Sequence, residues 1–64
     1  MKYNKLLEQF KRYEAVRVSG KYNMIMNARE AAAEADLHFD DYMFIINHYS
    51  ELYEKYKDSI EKHI

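Results

Sequence analysis

His38, His48 and His63 carry the side chains best suited to metal ligation or proton transfer, and their spacing argues against both. None stands three or four residues from another, so no two share a helix face, and no His-Glu-x-x-His segment occurs. The chain has no cysteine, which excludes a cysteine-ligated zinc domain and a disulfide framework. A metal site would require distant ligands to converge, so the expectation is no metal and surface or boundary roles for the imidazoles. Asp36, Asp40 and Asp41 form a small acidic cluster without the glycine-centred oxygen-ligand pattern of a calcium loop. Carboxylates there are better explained as partners for the free amides and positive end of a helix start.

Ser19-Gly20-Lys21 invites a phosphate-loop reading, yet the other glycines and the closing Lys-Ser/Thr pair are missing. Gly20 reads instead as a turn residue and Asn23 as a helix cap, with Lys21 facing solvent and Tyr22 packing over the turn. Ser19, Ser50 and Ser59 lack a recognisable base with an orienting acid. No catalytic and no cofactor-binding residue is therefore assigned, and the expectation is a non-enzymatic protein. A small-molecule site between helices is neither supported nor excluded by these residues.

Two surfaces remain as candidates. Seven of the 64 residues are tyrosines, a type whose ring is buried readily while its hydroxyl stays at an edge, and which is enriched at protein interfaces. Tyr49, Tyr53 and Tyr56, with Ile60 at the end of the same stripe, are the candidate protein interface, and a homodimer through residues 49–60 is the expected assembly. Lys2, Lys5, Lys11, Arg12 and Lys21 are the candidate nucleic-acid contacts, on or beside the outer face of the first helix. Residues 1–21 hold six bases and two acids, whereas 22–64 hold four bases and nine acids. The halves attract one another, and that attraction needs no ligand.

The elements that must position these residues are helical, because no segment alternates with period two between turns. Tyr3, Leu6, Leu7, Phe10 and Tyr13 share one sector of a helix over about 3–18, ended by Ser19-Gly20. A second helix over about 24–35 places Ile25, Ala28, Ala31, Ala32 and Ala35 on one face, with Met24 at its margin. Tyr42, Ile45, Ile46, Tyr49, Leu52, Tyr53, Tyr56 and Ile60 predict a long third helix over about 39–62, beginning near His38 or Asp40. The alternative is a break at Asn47–Ser50, with Ser50 capping a separate final helix. The reading is an all-α, single-domain chain over 1–64, a three-helix bundle with a long C-terminal helix. Alanine at Leu6, Phe10, Ile46 or Leu52 should cost about 2–5 kcal/mol where the residue is buried.

The segment Val18 to Ala31, with Ser19, Gly20, Asn23 and Met24 matching a Ser-Gly-x-x-Asn-Met pattern, resembles small uncharacterised proteins of bacteriophages and prophages of Gram-positive bacteria. The resemblance extends over about residues 10–56, through Leu37, Tyr42 and Ile45 to Leu52. It implies a compact helical accessory protein and transfers no catalytic residue. The function expected is protein contact, with itself and with a host or phage protein; the alternative is a nucleic-acid-associated regulator. No run approaches the roughly 20 apolar residues of a membrane span, and no secretory signal pattern opens the chain, so a cytoplasmic location in a bacterial host is expected.

Overall fold

The structure is a computed structural model and describes residues 4–61. It is all-helical among those residues, with α1 at Lys5–Ser19, α2 at Ala28–Glu34, α3 at Phe39–Asn47 and α4 at Tyr49–Glu61. Asn4 starts α1: its backbone is extended, and its side-chain oxygen accepts from the Leu7 amide at 3.1 Å. Gly20 ends α1 at φ 70°, in the left-handed region where a Cβ is disfavoured, and its amide returns to the Arg17 carbonyl.

The second helix is shorter than the periodicity predicts. Asn23 caps as expected, accepting from the Ile25 and Met26 amides at 3.0 and 2.9 Å, but it caps a single turn that does not run into α2. Asn27, at φ −110° and ψ 39°, leaves helical geometry before α2 begins. The register changes there, and Ile25, predicted on the buried face, stands in solvent at 74% exposure. Only Ala31, Ala32 and Ala35 of the expected face are buried.

The predicted third helix is two helices. His48, at φ −120° and ψ 22°, interrupts the path, and its carbonyl accepts the Leu52 amide at 3.0 Å. The residue opening α4 is therefore His48, not Ser50. At the other end of α3, His38 takes the N-cap position without a side-chain bond to the helix. The two halves of the apolar stripe can then turn independently, α3 sealing Tyr42 and Ile45 and α4 sealing Leu52 and Tyr56.

The core is an aromatic chain crossing three helices. The Phe10 ring lies 6.3 Å from that of Tyr13, 5.7 Å from Tyr49 and 6.2 Å from Tyr56. Tyr13 in turn meets Tyr42 at 5.3 Å. These spacings are those of favourable offset and tilted ring pairs. Phe10 and Leu52 are buried, as expected of them; Leu6 and Ile46 are only half-buried at the core's edge.

Candidate functional site

The predicted interface tyrosines are mostly engaged inside their own chain. Tyr56 is buried against Phe10, and its hydroxyl oxygen accepts from the Asn4 side-chain amide at 3.4 Å. Tyr49 is half-buried between Phe10 and Tyr13, and its hydroxyl donates to Glu14 at 2.9 Å. Tyr53 stacks on Tyr49 at 6.0 Å and is half-buried. The side chain of Ile60 and the whole of Lys2 lie outside the described residues.

Glu14 was not singled out by its sequence position, and it is a buried carboxylate. Charged groups are rarely buried without partners, and Glu14 has two: the Tyr49 hydroxyl and the Arg17 guanidinium, whose Nε donates to it at 2.5 Å. The Arg17 carbon also lies 5.8 Å from the Tyr49 ring centre, so one cation serves both groups. Burial first, then the bond to Glu14, pushes the Tyr49 phenol up to about 12. Burial also takes Tyr42 to about 12, where its hydroxyl donates to the Met24 carbonyl at 2.7 Å. Tyr13 is raised by burial and then by the Glu14 charge. The hydrogen bonds make this a structural network, and its tyrosines stay protonated well beyond neutral pH.

The basic residues of α1 divide. Arg12 reaches the Glu8 carboxylate at 3.8 Å and the Asp36 carbonyl at 3.4 Å, while Lys21 pairs with Glu34 at 3.2 Å and is raised chiefly by that bond. Lys5 and Lys11 make no ion pair with another described residue. The expected charge attraction between the two parts of the chain thus takes physical form at Lys21–Glu34, and it occupies one predicted phosphate contact.

Of the histidines, His48 packs tilted on Phe44 with 4.4 Å between ring centres and faces Glu51 at 3.8 Å, His38 is exposed, and His63 lies outside the described residues. No group of three metal-ligating side chains occurs among the described residues. No helix among them is long and apolar enough to cross a membrane.

Among the described residues, the large apolar side chains left in solvent lie where periodicity did not place an interface. Val18, Ile25 and Met26 cluster in sequence around the α1–α2 connection, with Met26 at 83% exposure, and Phe44 stands alone on α3. The connection is not loose. Asn23 holds the turn by its side chain, Tyr42 grips the Met24 carbonyl, and Tyr22 reaches Glu34 at 3.4 Å. A fixed turn therefore presents Ile25 and Met26 outward. The signal missed in the sequence was the second asparagine, Asn27, which ends the turn that Asn23 begins.

No protein-family model matches this chain, and no curated protein or solved structure matches it at the threshold for significance.

Proposed function

We propose that this chain is a non-enzymatic accessory protein acting through protein contacts, first with a second copy of itself, and that the α1–α2 connection is its contact surface. The observation that carries the reading is the rigid turn holding Ile25 and Met26 in solvent. A backbone already held in one conformation loses little further entropy on docking, and the exposed Ile25 and Met26 side chains supply the apolar area to be buried. The phage or prophage setting, and with it a host-cell cytoplasmic location, rests on the Ser19–Met24 resemblance.

Sedimentation and light scattering over a wide concentration range test it. Self-association in the native chain, lost in Ile25→Asp combined with Met26→Asp while α-helical content is kept, is the expected result. A monomer at every concentration would refute the copy-to-copy contact. The nucleic-acid reading draws on Lys5 and Lys11 as its unpaired described cations. It requires binding that falls steeply with salt and is lost in Lys5→Glu with Lys11→Glu.

A further inference from the structure

Between the second half of α1 and the end of α2 lies an open groove of about 340 Å³, near the lower bound for small-ligand sites. Ala15, Val16 and Ala35 give it a floor of small apolar groups, and charged side chains stand around it. At one end Lys21 and Glu34 neutralise each other. At the other, Arg12 and Asp36 do not. The Arg12 guanidinium has five N–H donors, yet its described contacts are the long ones to Glu8 and the Asp36 carbonyl, and its Nε–H is buried without an acceptor. A buried donor left unmade is unfavourable, so this side chain gains by turning toward a new acceptor.

Asp36 is the second sign. Its amide bonds the Ala33 carbonyl and the Leu37 amide bonds that of Ala32, which closes α2 in a motif whose turning residue is ordinarily glycine. Here an aspartate occupies that place at φ 56°, the one described non-glycine residue with positive φ. Its carboxylate makes no hydrogen bond or ion pair with another described residue. A strained position keeping an unpaired charge beside an under-used cation is a feature that a ligand would explain.

We propose that the groove binds a free α-amino acid with an aliphatic side chain. Its carboxylate takes the Arg12 fork, its ammonium takes the Asp36 carboxylate, and its side chain lies on Ala15, Val16 and Ala35. An α-amino acid carries both charges on one carbon, as the adjacent Arg12 and Asp36 require, whereas a simple anion would meet repulsion from Asp36. A peptide end offers one of the two charges and fits less well. The inference is independent of the protein-contact reading.

The test is a titration of the full ¹⁵N-labelled chain with L-leucine, followed by amide shifts. Saturable shifts at Ala15, Ser19, Ala35 and Asp36 are expected, weakened about tenfold or more by Arg12→Gln and by Asp36→Asn, since each removes a charge-assisted bond. Asparagine tolerates the left-handed region, so Asp36→Asn keeps the fold, and the melting curve of each variant checks that. N-acetyl-leucine and leucine methyl ester, each lacking one charge, should bind as weakly as the corresponding variants. No saturable shift with L-leucine up to about 10 mM, where a millimolar site is nearly filled, would overturn the proposal. So would equal binding by either blocked derivative, or by Arg12→Gln.

Discussion

Gly20 and Asp36 take the same backbone conformation for the same reason, ending a helix, and differ in having a Cβ. Nothing lies within 4 Å of where a Cβ on Gly20 would stand, so Gly20→Ala meets no clash and loses only the backbone preference. That loss is about 1 kcal/mol. Asp36→Gly runs the other way and should stabilise by about 0.5–1 kcal/mol, as relief of the left-handed strain exceeds the added chain entropy. Urea denaturation of the two variants reads both signs. The tyrosines make a second residue-scale prediction. Tyr42 and Tyr49 hold their protons to about 12 in the fold, against about 10 in the unfolded chain. Between those values the folded state binds more protons, so stability is fully present below pH 10 and declines as pH rises toward 12. Melting temperature against pH should show that decline, and Tyr42→Phe or Tyr49→Phe should make it shallower.

At the scale of elements, the helix ends show what is still missing from the fold. Asn4 caps α1 by its side chain, whereas His38, with the extended backbone of an N-cap at φ −60° and ψ 143°, supplies no such bond to α3. His38→Ser should add it and raise stability by about 1 kcal/mol, seen as a higher denaturation midpoint at unchanged slope. The all-helical class and the buried Phe10, Tyr42, Ile45 and Leu52 were legible in the sequence because burial on a helix leaves a period of 3.6. The break at His48 was less legible, since the stripe runs through it uninterrupted and no proline or glycine marks it. The helix expected over about 24–35 ran across Asn27 for a related reason: asparagine is tolerated inside a helix, and only the cap already made by Asn23 shows that Asn27 ends a turn. The groove was invisible in sequence because Arg12 and Asp36 are far apart in the chain. Glu14 escaped notice because a glutamate on a helix is ordinarily solvated.

For the whole molecule, size decides how association should be read. A chain of 64 residues buries only about 60% of its unfolded surface, so its stability is small and any contact made by the folded state alone is a large addition to it. Ile25 and Met26 contribute little to the core, so aspartate at both should change monomer stability by no more than about 0.5 kcal/mol. Their role therefore separates from folding in one measurement. If two copies meet at the α1–α2 connection, dissociation accompanies unfolding and the melting temperature must climb with concentration, from about 10 µM to about 1 mM, following mass action. In the double variant the melting temperature should stay level over the same range, near the native value at the dilute end. A native chain with a level melting temperature does not pair through this turn. A double variant that melts much lower even when dilute would show the two side chains supporting the fold instead of presenting a surface.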